Sequence, residues 1–123
     1  LTPDHLDRYD GMAAYAAAKA RLFAMQGPGA AAVIATDDDW TRAAADALPE
    51  GLALTRVSAA DIDPAAQARW PSLKGPHNAQ NVACAAAAAR LIGLDDAAIE
   101  SGLRSFPGLP HRMEIVGEAG GVR

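Results

Sequence analysis

The stretch Val82 to Ile92, VACAAAAARLI, constrains the fold more than any other part of the chain. Alanine is the strongest helix former, so a run this rich in it must be helical. Such a helix carries little apolar area per turn and gains stability only by letting another backbone approach closely. The rest of the chain shares the bias: half of its 123 residues are hydrophobic, yet 31 are alanine and only 23 are Leu, Ile, Val or Phe. We therefore expect a core made by close helix packing, in a chain long enough for one modest domain.

Around that helix the chain alternates. Met12, Tyr15, Ala16, Lys19, Leu22 and Phe23 fall at helical spacing and predict a helix over 11–25, which Gln26-Gly27-Pro28-Gly29 breaks. Ala30 to Thr36 is continuously apolar through Val33 and Ile34, the pattern of a strand covered on both faces. Asp39 is expected to cap a helix running to Leu48, and Leu52 to Ser58 reads as a second short strand. Between 59 and 72, where Pro64 and Pro71 bracket alanines, only a weak helical turn is expected. Pro76 and Asn78 open the long helix, with Asn78 as its cap, and Gly93 closes it in the left-handed conformation other residues resist. Asp95 caps a further helix with Ile99, Leu103 and Phe106 on one face. Pro107 to Pro110 then lead to a third strand at Met113 to Val116, the turn EAGG and a return strand at Val122. Alternating strands and helices argue for a layered α/β structure rather than a bundle.

A net charge of -4 with no basic stripe argues against nucleic acid or an anionic membrane surface as partner. A single cysteine, Cys84, permits neither an internal disulfide nor a structural zinc site on sulfur, which suits a reducing cytoplasm. No run approaches the roughly 18 apolar residues that span a bilayer, and no signal peptide pattern opens the chain. Leu1 stands where a starting methionine would, and Gly-Gly-Val runs straight into Arg123, so we expect a piece of a longer protein.

Lys19 belongs by position to the apolar stripe of its helix. Its stem can pack while the ammonium reaches water, at little cost. True burial would be costly, because holding the amine neutral near pH 7 against an ordinary pKa of about 10.4 takes roughly 4.6 kcal/mol. A function could retain such a group, since a desolvated amine is nucleophilic and adds carbon dioxide to give a carbamate. The two oxygens of a carbamate suit a hard cation such as Mg²⁺. His5, in TPDHLD, could add a metal or phosphate contact, although a histidine there equally fits a helix start. Asn78 and Asn81 lie three apart and share a helix face. Carboxamides offer donor and acceptor together, as adenine requires at N6 and N7. Inside a run of alanines Asn81 is unfavourable by propensity and asks for a partner. Arg112, after FPGLPH, carries a fork-shaped fixed charge that can clamp phosphates or form an ordinary ion pair with Glu114. The aspartates at 37 to 39 are expected to end the strand and cap the next helix, outside any site.

Taken together, DHLDRY with YAAAK, LKGPHNAQN and FPGLPHRME resemble, in order and spacing, the ATP-binding central domain of the Mur ligases of peptidoglycan synthesis. The likeness covers nearly the whole chain, and DHLDRY and GLPHRME look most like the branch that adds D-glutamate to UDP-N-acetylmuramoyl-L-alanine. The resemblance implies an α/β fold, a mostly parallel sheet flanked by helices, here without the N-terminal strands that carry the phosphate loop. It implies ATP and Mg²⁺ as cofactors, with Lys19 carbamylated and, with His5, holding the metal. It implies Asn78 and Asn81 beside the adenine and Arg112 beside the ATP. The reaction implied is amide formation through an acyl phosphate. No Gly-x-x-x-x-Gly-Lys-Ser/Thr loop occurs in the chain, so turnover is not expected from it alone. A truncated sheet also leaves an edge at which copies of the chain could pair. Alternatives are the ligase that adds the third residue, folylpolyglutamate synthase, or a noncatalytic alanine-rich interaction module.

Overall fold

The computed structural model describes residues 1, 3 and 6–109 of the chain. A single turn of 3-10 helix, Leu6–Arg8, leads into α1, Gly11–Ala24. Strand β1, Ala31–Ala35, helix α2, Asp39–Asp46, and strand β2, Ala53–Val57, then form a β-α-β unit. The strands pair in parallel with Ala31 opposite Ala53 and Ala35 opposite Val57. One further bond at each end, Thr36 N–H to the Val57 carbonyl at 2.9 Å and Ala53 N–H to the Ala30 carbonyl at 3.0 Å, extends β1 to the Ala30–Thr36 span its apolar run predicts, while β2 stays one residue shorter at each end than expected. Parallel pairing follows from the short helical crossover, since a hairpin turn would have made the pair antiparallel.

The expectation that β1 is covered on both faces holds only in part. Ala32 and Ile34 are buried, whereas Val33 and Ala35 are half-buried. Among the described residues the sheet has two strands, too narrow to shield both of its surfaces completely. The expected third strand over 113–116 and return strand at Val122 lie outside the described residues.

The long alanine helix is α4, Pro76–Leu91, and its buried positions are Ala79, Val82, Ala83 and Ala86. These recur at i, i+3, i+4 and i+7, a single stripe that packs on β1, β2 and a 3-10 turn at Ala59–Asp61. The close approach demanded by small residues is thus realised between a helix and a sheet. Gly93 adopts φ +92° after the helix, as its closing role predicts. A larger cluster caps this stripe: Trp70, Leu73 and Val82, with Ile62, Ala66 and Leu103 packed against it. Leu103 comes from α5, Asp96–Ser105, whose cap is Asp95, accepting the Ala98 N–H at 2.8 Å.

Several local expectations need correction. Asp38 rather than Asp39 caps α2: its Oδ1 accepts the Thr41 N–H at 2.9 Å, and the helix ends at Asp46 instead of Leu48. Asp39, one residue inside, pairs with Arg42 on the surface. Residues 59–72 hold more order than one weak turn, namely the 3-10 turn at Ala59–Asp61 and a four-residue helix α3, Pro64–Gln67, whose Asp63 accepts the Ala65 N–H at 2.9 Å. Asn78 is not the cap of α4. That position belongs to Gly75 at φ +89°, and the Asn78 amide instead donates back to the Lys74 carbonyl at 2.9 Å. Phe106 leaves the α5 face predicted for it, because the backbone turns extended there.

Candidate functional site

A cleft of about 660 Å³ opens between the start of α4 and the end of α5. Leu73, Val82, Leu103 and Phe106 supply its apolar walls, and Asn78 and Asn81 supply polar edges. Three separate backbone devices shape it. The Gln67 side-chain amide donates to the carbonyls of Leu73 at 2.7 Å and Gly75 at 2.8 Å, which fixes the loop leading into α4. Gly75 turns the chain through a left-handed conformation that side-chain-bearing residues resist, so that Pro76 can begin the helix at once. On the far wall Gly108, at φ +87°, comes so close that an added Cβ would lie 3.2 Å from the Ser72 Cβ.

The structure brings Asn78 and Asn81 together, as their spacing predicts. Asn78 is half-buried and spends one of its two donors on the Lys74 carbonyl, which fixes the orientation of its carboxamide. Asn81 is exposed at the cleft rim. Two carboxamides above apolar walls can read the edge of a flat heterocycle while its faces are covered by Leu and Phe side chains.

Lys19 lies elsewhere. It is exposed on α1, with its ammonium 5.4 Å from the centroid of the Tyr15 ring, within cation–π range. Tyr15 is the buried member of the α1 stripe and itself meets Tyr9 edge-on at 5.2 Å. The stem-packed, solvent-reaching form of Lys19 is the one this structure contains; the sheltered form is not. The reason is geometric: Leu22 is 62% exposed and Met25 80% exposed, so the C-terminal half of the α1 stripe is open to solvent. His5 and Arg112 lie outside the described residues. Among the described residues no group of three or more His, Cys, Asp or Glu side chains could hold a metal ion.

Sequence reasoning missed two polar networks. Asp37, at the end of β1, accepts from the Ser58 hydroxyl at 2.7 Å, the Ala59 N–H at 3.1 Å and the Gln80 side-chain amide at 2.6 Å. The Ser58 hydroxyl and then the Gln80 amide hold its carboxyl below the usual carboxylate range. A glutamine wedged between two asparagines in an alanine helix was the available clue. The second network centres on Glu100, which accepts from Arg104 at 2.7 Å, Arg69 at 3.1 Å and the Trp70 indole N–H at 3.0 Å. Arg104, then Arg69, lower its pKa to about 2. It is ionised at any physiological pH and acts as a bracket between α5 and the segment before α4.

A family model described as the Mur ligase middle domain matches residues 1–69. The chain is 60% identical over its whole length to a UDP-N-acetylmuramoylalanine--D-glutamate ligase from Sphingopyxis alaskensis, covering 28% of that protein. It is 48% identical over 99% of its length to the enzyme of that name from Novosphingobium aromaticivorans, covering 28% of it. With the one from Zymomonas mobilis the identity is 46% over 99% of the chain, covering 27% of the relative. The chain thus spans under a third of the length of the curated relatives it matches. No solved structure matches it.

Proposed function

Because the chain belongs to the Mur ligase family, as a middle domain, we propose that it serves a ligase that joins D-glutamate to UDP-N-acetylmuramoyl-L-alanine with ATP. Relatives at 46–60% identity, each a UDP-N-acetylmuramoylalanine--D-glutamate ligase by name, support this branch over the third-residue ligase and folylpolyglutamate synthase. In this reading the acyl substrate's carboxylate attacks the γ-phosphate and releases ADP. The D-glutamate amine then adds to the acyl phosphate, and phosphate leaves from the tetrahedral intermediate. One part this chain plays is to hold the nucleotide base.

The observation that carries the proposal is the Asn78 and Asn81 pair over an apolar cleft. Asn78 and Asn81 read the adenine edge, and Leu73 and Phe106 exclude water from its faces. Arg112 is assigned to the phosphates, where its fixed charge would offset the charge that builds on the transferring group. Asn81→Ala in the intact ligase is expected to raise KM for ATP about tenfold at little change in kcat, the worth of one good bidentate base contact. An unchanged KM would remove the base-reading role.

Lys19 and His5 are assigned to Mg²⁺. A carbamate formed there from carbon dioxide, with loss of a proton, would supply two oxygens suited to the cation. Lys19→Ala in the intact ligase should abolish most activity, and a small carboxylate should restore part of it. Full activity of the variant would instead favour a noncatalytic role for this segment.

The chain by itself is expected to release no phosphate in response to D-glutamate. We assign the ligase to the cytoplasm, the reducing compartment that a single cysteine suits; no described helix is long and apolar enough to cross a membrane.

A further inference from the structure

The inward face of α4 is nearly featureless: of its four buried residues three are alanines, Ala79, Ala83 and Ala86. Helices take their angle and register from side-chain ridges seated in grooves, and methyl groups make shallow ridges. An alanine stripe therefore permits close approach while doing little to fix the roll of the helix. The roll matters, because Asn78 and Asn81 project from the same cylinder into the cleft. Turning the helix by about 20° moves a side-chain tip some 6 Å from the axis by roughly 2 Å, enough to break a hydrogen bond to a bound base.

Near the asparagines a directional tie to the sheet opposes that turn. The Gln80 amide, from the second turn of α4, meets the Asp37 carboxylate at 2.6 Å. The same carboxylate is anchored by the Ser58 hydroxyl at 2.7 Å and the Ala59 N–H at 3.1 Å. Asp37 thus joins the end of β1, the turn after β2 and the helix that carries the asparagines. Gln80 lies one residue from Asn81 and two from Asn78, about 100° and 200° around the helix, so restraining it restrains both.

We propose that Asp37, acting through Gln80, is a positioning residue that sets the roll of α4 and hence the aim of Asn78 and Asn81 into the cleft. The proposal rests on the base-binding assignment of that cleft.

The test uses the intact ligase containing this chain. Gln80→Glu places two carboxylates face to face and is expected to raise KM for ATP about tenfold, the loss of one charge-assisted bond, with kcat and KM for the acyl substrate unchanged. The double variant Asp37→Asn/Gln80→Glu restores a donor opposite an acceptor and should return KM to within about twofold of the parent, the residual expected of a re-formed pair. If Gln80→Glu does not fold, the neutral Gln80→Leu reads the same KM. An unchanged KM for ATP in the Gln80 variants, beside a raised KM in Asn81→Ala, would overturn the positioning role and leave base binding intact. A double variant no better than Gln80→Glu would also overturn it, as would equal losses in every kinetic constant and in thermal midpoint. No effect of Asn81→Ala would remove the base-binding assignment and this proposal with it.

Discussion

Among the described residues the charged side chains do their work at the surface, and Glu100 shows how much one can organise there. Three donors from two segments converge on its carboxylate, and its pKa falls from 4.5 to about 2. A carboxyl with a depressed folded-state pKa contributes stability above its unfolded value, and that contribution is lost as pH falls through the folded one. Between pH 4.5 and about 2 the chain should therefore lose this bracket, with the thermal midpoint falling as acid is added. Glu100→Gln should lower the midpoint at neutral pH and flatten its fall across that acid window. An unaltered acid profile in the variant, followed by circular dichroism, would show that Glu100 is not the responsible group. The Glu100 to Arg104 pairing was open to sequence inspection, since i, i+4 neighbours share a helix face. The arms from Arg69 and Trp70 were not, because nothing in the spacing of residue 100 and residues 69 and 70 says that they meet.

At the level of elements, the two described strands and the longer helices came out within one or two residues of where periodicity places them, and the errors concentrated at helix starts. The sequence DDD offers three equivalent caps, and only the backbone conformation selects Asp38, whose extended φ of -127° aims its carboxylate at Thr41. For α4 the asparagine that looked like a cap was preempted by a glycine. Gly75 at φ +89° has no added-Cβ clash within 4 Å, so its requirement is conformational alone. Gly75→Ala should accordingly destabilise the chain by about 1–2 kcal/mol, the cost of a left-handed alanine. The Gly75 carbonyl also accepts from Gln67, so the same substitution should loosen the cleft loop. Urea titration of the two proteins checks the first statement, and a stability unchanged within error would refute it.

At the scale of the whole, the described residues form a thin core and an open surface. Among the described residues half of the buried apolar side chains are alanine, with Tyr15, Ile34, Trp70, Leu73 and Val82 as the larger members, while Leu22, Met25 and Ile92 stay largely in water. Val82 is 2% exposed at the junction of the alanine stripe and the Trp70 cluster, and Val82→Ala should cost about 2 kcal/mol from lost transfer and the cavity left behind. Among the described residues each strand has one neighbour, so both outer edges offer unpaired backbone groups. Sedimentation velocity over a range of concentrations is expected to show self-association of the isolated chain, and a single monomer species throughout would count against edge pairing. Sequence by itself determined the local chemistry: which runs are strands or helices, the α/β alternation, and the asparagine pair on one face. These are properties of neighbouring residues, set by backbone sterics and by periods of two and 3.6. Tertiary structure alone decided that Asp38 and Gly75 are the caps, that Gln80 reaches Asp37 across 43 residues, and that Lys19 stands in solvent. Those outcomes depend on which distant surfaces meet, and a helix face made of methyl groups leaves that choice to a few directional bonds.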